Sequence, residues 1–352
     1  MEKIKLAVIF GGKSTEHDVS IVSGMSVLKN INKEKYELYP IYIDEKGKWY
    51  KYLKNINEIE IPKIGEKISD IDVLENPIEY LKKMNCVFPV LHGLYGEDGT
   101  IQGLLELIEV PYVGCKVLAS SISMDKAYAK IIFEKAGLNQ AKYFYLKENK
   151  GKYIYVDKCM NEVRCTLDEI ATIIEGKQKY PMFVKPSNSG SSVGINKVNN
   201  IEELKEAIKY AGGFDRKILI EEGIDGREVE CAVLGNEEVK ASSVGEIKAA
   251  GDFYSYDSKY ENSESFTVTH ADLPKDLYEE IRKNAIKAFK AVDGRGLSRV
   301  DFFVENETNK VIINEINTLP GFTSISMYPK LFEEEGIKYD KLLDELVELA
   351  ME

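Results

Sequence analysis

Short apolar runs alternate with helical segments over the first 120 residues of the chain. Apolar runs of strand length occupy residues 4–10, 36–43 and 85–91, and helices are predicted over 18–30 and 100–107. Parallel strands that are buried on both faces are apolar throughout, and helical crossovers connect them. The first third of the chain therefore predicts a parallel sheet that helices cover on both faces.

From residue 123 onward the pattern changes to a mixture of strands and helices. Residues 124–137 form an amphipathic helical pattern that ends at Gly137, a typical C-terminal stop. Strands are predicted at 181–185, 195–198 and 218–221, and further helices at 201–211, 275–292 and 339–351. Residues 147–180 are polar and give no assignment.

A period-two pattern is clearest in two runs near the C-terminus. In the first run three apolar side chains share one face of a predicted strand and two charged side chains share the other, namely Val300, Phe302 and Val304 against Arg299 and Asp301. In the second run Ile312 and Ile316 are predicted to face away from Glu315 and Asn317. If the polar residues 306–310 form a hairpin loop, Asp301 lies directly across from Glu315.

The polar face of this hairpin has two interpretations. Carboxylate and amide oxygens suit Mg²⁺, which one or two carboxylates usually hold together with substrate phosphates. The alternative is the solvated outer face of an antiparallel hairpin, which is common. The Arg299–Asp301 pairing and the Asn-Thr-Leu-Pro-Gly sequence that ends at Gly321 favour metal binding.

Composition and charge narrow the class of protein. With 352 residues, 44% hydrophobic and 30% charged, the chain is typical of a soluble globular protein of two or three domains. A net charge of −12 argues against a nucleic-acid surface, although a few lysines can still attract a nucleotide locally.

The five cysteines lack the spacing of metal or redox sites and predict reduced thiols. Because we find neither a secretory signal nor an apolar stretch of membrane-spanning length, we expect a cytoplasmic protein that does not enter a membrane.

Two segments resemble phosphate-binding loops. Residues 12–14 (Gly-Lys-Ser) match the end of a P-loop, but the earlier glycine of that pattern is Ala7, inside the first predicted strand, so this assignment fails. The strand that ends at Lys185, in contrast, leads into the glycine- and serine-rich segment 187–194. Small residues let such a loop close over a triphosphate. A flexible surface hairpin is the alternative, and Lys185 together with the acidic hairpin favours the phosphate interpretation.

The strand at 218–221 also ends in carboxylates. Glu221 is able to accept a hydrogen bond from a ribose hydroxyl or an adenine amine, and the backbone at Glu222 and Ile224 is able to bind the adenine edge. By itself this signal is weak, because a solvated strand end has the same composition.

Together these segments resemble the D-alanine–D-alanine ligases of the ATP-grasp superfamily over nearly the whole chain. The motifs that carry the resemblance are, in chain order, 11–20 (GGKSTEHDVS), 91–100 (LHGLYGEDGT), 123–126 (SMDK), 184–186 (VKP), 190–192 (GSS), 253–260 (FYSYDSKY) and 299–321. Their order and spacing are specific. The resemblance implies an α/β fold with a Rossmann-like parallel-sheet domain over 1–122, followed by an ATP-grasp fold of two α+β subdomains over 123–225 and 226–352.

The resemblance also implies ATP-dependent joining of two D-alanines for peptidoglycan. The first carboxylate attacks the γ-phosphate to form an acylphosphate, which the amine of the second D-alanine then attacks. In this family lysines contact the ATP phosphates, an oxygen-ligand set holds both Mg²⁺ ions (Mn²⁺ being an alternative), and glutamates hold adenine and ribose. The matching positions are Lys126, Lys185 and Lys259 for phosphates, Asp301, Glu315 and Asn317 for metal, and Glu221 and Glu228, with the backbone of Glu222 and Ile224, for the nucleoside.

Further roles follow from the same resemblance. Arg299 and the backbone N–H of Gly321 would stabilise the oxyanion of the tetrahedral intermediate. Glu16 would hold the ammonium of the first D-alanine, and Ser326, with Met327 beside it, would bind the carboxylate of the second. His92 follows a strand end, where open α/β sheets commonly bind ligands, so we assign it a secondary substrate-positioning role. A histidine that only caps its loop is the alternative.

Two positions bear on specificity. In the family the equivalent of Tyr260 hydrogen-bonds with the equivalents of Ser191 and Glu16 and clamps a mobile loop, whereas relatives that make D-alanyl-D-lactate commonly carry histidine there. Tyr260 therefore favours an amine as the second nucleophile. Glu222 departs from the family, in which a lysine often follows the Glu221 position, and we expect an altered ATP affinity at most.

Three alternative functions differ from the predicted D-alanine–D-alanine ligase activity in ways that can be tested. A D-alanine–D-serine ligase shares the fold and the amine nucleophile, and one hydroxyl is not resolved by sequence. A nicotinamide oxidoreductase is disfavoured because the Gly11-Gly12 turn lacks the dinucleotide-binding spacing. A catalytically inactive nucleotide-binding regulator would be expected to lose some of the polar residues of the hairpin. All four are present, namely Arg299, Asp301, Glu315 and Asn317. The family also implies a homodimer.

Overall fold

Three β-sheets and their covering helices make up the computed structural model, which describes residues 2–190, 193–248 and 266–352. The strands are β1 Ile4–Gly11, β2 Tyr36–Ile43, β3 Trp49–Tyr52, β4 Ile71–Val73, β5 Cys86–Val90, β6 Tyr143–Asn149, β7 Lys152–Val156, β8 Glu162–Cys165, β9 Met182–Pro186, β10 Asn196–Val198, β11 Lys217–Glu222, β12 Gly226–Gly235, β13 Val239–Lys248, β14 Phe266–Val268, β15 Gly296–Glu305 and β16 Val311–Asn317. The helices are α1 His17–Asn30, α2 Pro77–Leu81, α3 Thr100–Leu107, α4 Val117–Met124, α5 Lys126–Lys135, α6 Leu167–Glu175, α7 Ile201–Gly212, α8 Lys275–Ala291, α9 Met327–Glu334 and α10 Tyr339–Ala350. Within these described residues, none of the helices has the length and apolar character needed to cross a membrane.

The N-terminal sheet has the strand order β4-β3-β2-β1-β5. Strand β1 pairs in parallel with both β2 and β5, as the apolar runs predicted. Its side chains alternate between two hydrophobic clusters, with Leu6 and Val8 in one and Ala7 and Ile9 in the other. Burial on both faces explains why the run is apolar throughout. The two antiparallel strands β3 and β4 at one end of this sheet were not predicted.

The second sheet is antiparallel along β9, β11, β6, β7 and β8, and helices α6 and α7 pack on one of its faces. Strands β7 and β8 and helix α6 lie in the 147–180 segment that the sequence left unassigned. Helix α6 begins with a capping box in which Thr166 and Glu169 each bind the backbone of the other, and Ile170 and Ile174 face the core. The sequence signal for helix α6 was therefore present, but it covers only a few residues.

The third sheet has the order β14-β13-β12-β15-β16 and is covered on both faces. Helix α8 packs against one face in a cluster that includes Val300, Phe302 and Val304. On the other face a second cluster joins helices α9 and α10 to strand β1 of the N-terminal sheet. Because this core is shared, the N-terminal and third sheets hold their facing loops in fixed positions.

One predicted helix is interrupted in the structure, and one helix was missed. The predicted helix 124–137 is interrupted, because α4 ends at Met124 and α5 begins at Lys126. Between them Asp125 is extended, and its side chain accepts from the N–H groups of Ala127 and Tyr128 as an N-cap. Helix α9 was not predicted at all, although Ser326 before it and Pro329 in its first turn are typical helix-start residues.

Candidate active site

Residues from all three sheets line one cleft, whose volume is about 500 Å³. His92 comes from the loop after β5, Lys185 from β9 and Arg299 from β15. Most of the residues that the sequence singled out reach this cleft: Glu16, His92, Lys126, Lys185, Glu221, Glu222, Ile224, Glu228, Arg299, Glu315, Asn317, Gly321, Ser326 and Met327. Asp301 lies next to it through Arg299. Ser191, Lys259 and Tyr260 fall outside the described residues, so their predicted roles stay predictions.

The β15–β16 hairpin pairs Asp301 with Glu315 and Arg299 with Asn317, as expected. The rest of the hairpin differs from the regular pairing that the sequence predicted. The register shifts by one residue after Asp301, so that Phe302 pairs with Ile313. The extra residue of a β-bulge reverses the alternation beyond it. The predicted position of Ile312 beside Ile316 is therefore wrong, since Val311 and Ile313 join Ile316 in the hydrophobic cluster instead.

Arg299 is half-buried at the centre of an acidic network. Its Nε and Nη2 donate to the two carboxylate oxygens of Asp301, both at 2.7 Å, and its Nε lies 3.1 Å from a carboxylate oxygen of Glu230. Burial alone would lower the pKa of the Arg299 guanidinium, but the Asp301 and Glu230 carboxylates outweigh it and raise that pKa. A bidentate fork of this kind fixes the orientation of the guanidinium.

The residues of the candidate metal site fit a hard cation. Asp301 and Glu315 would supply carboxylate oxygens, and the Asn317 Nδ2 donates to Asp301 at 2.9 Å, which leaves the amide oxygen of Asn317 free to serve as a ligand atom. Across residues 2–190, 193–248 and 266–352, no three or more histidine, cysteine, aspartate or glutamate side chains lie together as a metal site. Two carboxylates and an amide are an incomplete set, which is typical of Mg²⁺ that also binds substrate phosphates.

Three lysines bring positive charge to the same cleft. The Lys126 Nζ donates to the carbonyl of Ser189 at 2.7 Å and lies 3.7 Å from a carboxylate oxygen of Glu315. Lys185 and Lys130 both form ion pairs with Glu221. Lys126 therefore connects the glycine- and serine-rich segment to the candidate metal face, whereas Lys185 is held by a carboxylate.

The Lys130–Glu221–Lys185 group is almost fully buried. Burial opposes the charge on Glu221, but the two lysines outweigh this effect and lower the pKa of Glu221 to about 2. Burial likewise opposes the charge on Lys185, and Glu221 raises the pKa of Lys185 overall. The sequence did not identify Lys130, which lies one helical turn after Lys126 on α5.

We expect this group to give the protein an acid-sensitive component of stability. Because the folded pKa of Glu221 is about 2 against an ordinary 4.5, the stabilisation is complete above pH 4.5 and is lost as the pH falls from there towards 2. Glu221→Gln should lower the free energy of unfolding at pH 7 by a few kcal/mol, because it leaves two buried lysines without their carboxylate. The same variant should also weaken the pH dependence of the free energy of unfolding between these pH values. Urea titrations at a series of pH values measure both effects.

The matched control is Glu222→Gln at the adjacent position. Glu222 is half-buried, accepts from the backbone N–H of Lys142 at 2.7 Å and lies 4.0 Å from its Nζ. This variant should keep the steep acid dependence of the wild type. Equal pH slopes in the two variants would contradict the assignment of that slope to Glu221.

Glu16 lies where the N-terminal sheet meets the glycine- and serine-rich segment. A Cβ atom at either Gly93 or Gly190 would lie 2.5 Å from the Glu16 Oε2, so a side chain at either position would have to displace the Glu16 carboxylate. The backbone N–H of Glu16 donates to Ser14 Oγ at 3.1 Å, and this hydroxyl donates to the His92 carbonyl at 2.6 Å. The structure thus brings Glu16 and the start of the 190–192 motif together.

His92 is buried and contacts two elements of the site. Its Nδ1 lies 3.0 Å from the carbonyl of Leu319, and its Nε2 lies 2.9 Å from Ser23 Oγ. A carbonyl only accepts, so Nδ1 carries the proton and Ser23 donates to Nε2. Burial lowers the pKa of His92, which favours this neutral form. The contacts with Leu319 and Ser23 exceed those of a histidine that only caps its own loop.

Glu97 is a second acid in this corner and is half-buried. It accepts from the N–H of Gly93 at 2.8 Å and from the N–H of Leu319 at 3.3 Å. Burial, followed by the nearby charge of Glu16, raises the pKa of Glu97 to about 8. Glu97 was part of a sequence motif, but no role for it followed from the pattern. Glu230 was missed as well, although it alternates with Glu228 along β12 on one face of the strand.

The turn that carries Gly321 is close to the start of helix α9. Gly321 lines the cleft, and a Cβ atom on it would lie 2.6 Å from Ser326 Oγ, so a larger residue would disturb this side chain. Ser326 Oγ accepts from the N–H of Thr323 at 3.0 Å. The N-terminus of a helix favours an anion, which suits the predicted carboxylate site at Ser326. The Met327 side chain packs on Gly245 beside it.

Comparison with known proteins gives matches across the chain. A family model described as "D-ala D-ala ligase N-terminus" matches residues 5–115, and one described as "D-ala D-ala ligase C-terminus" matches residues 132–348. The D-alanine–D-alanine ligase of Acetivibrio thermocellus is 51% identical over 375 residues, which cover 100% of this chain and 96% of that protein. The ligase of Clostridium acetobutylicum is 48% identical over 352 residues, with 99% and 98% covered.

Solved structures agree with these matches. The VanG D-Ala:D-Ser ligase from Enterococcus faecalis aligns with a TM-score of 0.84 and 36% identity, covering 99% of this chain and 100% of that chain. The D-alanine–D-alanine ligase from Coxiella burnetii aligns with a TM-score of 0.82 and 34% identity, covering 100% and 94%.

Proposed function

The chain belongs to the D-alanine–D-alanine ligase family, and we propose that it joins two D-alanines at the expense of ATP. The products are D-alanyl-D-alanine, ADP and phosphate, with a D-alanyl phosphate as intermediate, and the dipeptide serves peptidoglycan synthesis. The fold class predicted from the sequence, a Rossmann-like sheet followed by an ATP-grasp fold, is confirmed. The observation that carries the proposal is the single cleft that unites the lysines, the oxygen ligands, Arg299 and the Gly321 turn.

The first step needs charge neutralisation and positioning of the phosphates. Lys126 and Lys185 supply positive charge from two different elements, and Lys126 also touches the backbone of the segment proposed to cover the phosphates. Magnesium held by Asp301, Glu315 and Asn317 would neutralise the phosphate oxygens when bound. Glu221, Glu228 and the backbone of residues 222 and 224 are our proposed nucleoside contacts, which all lie in the cleft.

The second step is acyl transfer and develops an oxyanion. Arg299, oriented by Asp301, and the N–H of Gly321 are the proposed donors to that oxyanion. The negative charge of Glu16 suits the ammonium of the first D-alanine. Ser326, at the start of α9, suits the carboxylate of the second D-alanine.

A D-alanine–D-serine ligase is the second candidate, and the likeness to the VanG enzyme supports it. The two reactions share every group named above and differ by one hydroxyl on the second substrate. Met327, an apolar side chain at the proposed second site, favours the methyl group of D-alanine.

The test is ADP release with D-alanine alone, followed by D-alanine with D-serine or D-lactate, and identification of each product by mass. D-alanyl-D-alanine formed from D-alanine alone supports the proposal. If ADP release requires D-serine, the second candidate replaces it, and if no amino acid stimulates ADP release the proposal fails.

Three further expectations remain proposals. We propose a cytoplasmic location, supported by five cysteines that are all free. We propose the domain division 1–122, 123–225 and 226–352, supported by three sheets that each lie within one range. A homodimer is supported by apolar side chains at the surface of α3 and α4, where Leu107 is 84% exposed and Leu118 57% exposed.

A further inference from the structure

Gly321 lies between two residues whose backbone groups are all bound by side chains from distant elements. At Leu319 the N–H donates to Glu97 and the carbonyl accepts from His92. At Phe322 the N–H donates to Ser23 Oγ at 3.2 Å and the carbonyl accepts from the hydroxyl of Tyr339 at 3.0 Å. Pro320, between these two anchors, has a fixed φ. The Gly321 peptide therefore has little freedom to turn away from the cleft.

Tyr339 begins helix α10 and does not line the cleft. Its ring stacks on Phe322, with centroids 6.4 Å apart, and its hydroxyl also lies 3.2 Å from Ser26 Oγ on α1. The single hydroxyl proton of Tyr339 is used on the Phe322 carbonyl, so Ser26 is the donor in the second contact. Burial raises the pKa of Tyr339, which keeps its hydroxyl protonated and able to donate.

Ser23 on α1 joins the second anchor to the histidine. Its Oγ accepts from the Phe322 N–H and donates to His92 Nε2. It is fully buried, so water does not replace these contacts. Helices α1 and α10 thus both hold the backbone of Phe322, the residue that follows Gly321.

We propose that Tyr339 and Ser23 are positioning residues that hold the Gly321 N–H towards the tetrahedral intermediate. This inference rests on the function proposed above, in which Gly321 acts only in the second step. Phosphoryl transfer to the first D-alanine does not use the Gly321 N–H. Loss of either hydroxyl therefore slows dipeptide formation selectively.

The test uses Tyr339→Phe in single-turnover rapid-quench experiments with ATP and D-alanine, following ADP and dipeptide separately. The stacked ring is kept and only the hydroxyl is lost. Outright removal of an oxyanion donor costs about 10²–10³ in rate, so displacing one should slow dipeptide formation about tenfold. ADP formation should stay within about twofold of the wild type, because phosphoryl transfer depends on other groups.

Tyr328→Phe is the matched control. Tyr328 is also buried, also packs on Phe322 with centroids 5.7 Å apart, and its hydroxyl donates to the carbonyl of Val233 at 3.3 Å instead of the Gly321 turn. It should leave both rates as in the wild type. A merely structural role for Tyr339 predicts that both hydroxyl deletions act alike.

Ser23→Ala provides a second variant in case Tyr339→Phe does not fold, and it should show the same selective slowing of dipeptide formation. The proposal is overturned if the folded variant slows ADP and dipeptide formation equally, or slows neither. Failure of the proposed function is distinct, because the wild type itself would then form no dipeptide.

Discussion

Arg299→Lys should lower kcat for dipeptide formation by about 10³-fold, because it removes the proposed preorganised oxyanion donor. The guanidinium is held by two 2.7 Å hydrogen bonds to Asp301, and its Nε lies 3.1 Å from a carboxylate oxygen of Glu230. Lysine keeps the positive charge, so the two carboxylates stay neutralised and the fold is retained. It cannot reproduce the planar fork that fixes the direction of the donor. Steady-state kinetics and nucleotide titration measure the effect, and ATP affinity should change little.

Arg282→Lys is the control for this substitution. Arg282 lies on α8, where it contacts Glu279 at 3.2 Å and the carbonyl of Ala241 at 3.0 Å. It does not line the cleft, so its replacement should leave kcat unchanged. Comparable losses in both variants would show that Arg299 contributes through stability alone, and full activity of Arg299→Lys would exclude it from the oxyanion site.

Glu315→Gln should reduce activity by about 10²–10³-fold at a Mg²⁺ concentration that saturates the wild type, because one of the two proposed carboxylate ligands is lost. Glutamine keeps the shape of the side chain but not its charge. Raising the Mg²⁺ concentration should recover part of the activity. Chelation should abolish turnover of the wild type, and added Mg²⁺ or Mn²⁺ should restore it. Calorimetric titration of ADP with and without Mg²⁺ should show that the variant loses the metal-dependent gain in affinity.

Glu305→Gln, on the same hairpin, separates metal binding from hairpin stability. The Glu305 carboxylate is at the exposed end of β15 and accepts from the hydroxyl of Thr308. This variant should keep the Mg²⁺ dependence of the wild type. An unchanged Mg²⁺ dependence in Glu315→Gln would remove Glu315 from the metal site.

The sequence predicted those parts of the fold that strong periodicity encodes. The buried strand β1, the helix at 201–211 and the facing of Asp301 and Glu315 all follow from such patterns, and the structure has each of them. Short elements escaped prediction, because three or four residues, as in β3 and β4, carry too little periodicity. The bulge after Asp301 was also missed, since its extra residue interrupts the alternation that identifies a strand.

The candidate site was predictable where a motif supplies the chemistry and unpredictable where distant segments meet. Lys185 and Arg299 were identified because their neighbours are distinctive. Ser23 and Tyr339 were not, because a serine in α1 and a tyrosine at the start of α10 gain meaning only when both reach Phe322. Lys130 is a third example, since its pairing with Glu221 depends on how α5 packs against β11.

We propose that the γ-phosphate of ATP activates a D-alanine carboxylate in the cleft around Arg299. The most direct measurement uses D-alanine labelled with ¹⁸O in its carboxylate, with mass analysis of both phosphate and dipeptide. We predict that each dipeptide formed is accompanied by one phosphate carrying one ¹⁸O atom, which passes to phosphorus in the acylphosphate. Phosphate free of ¹⁸O, or labelled phosphate without D-alanyl-D-alanine, would rule out this acylphosphate route to the dipeptide.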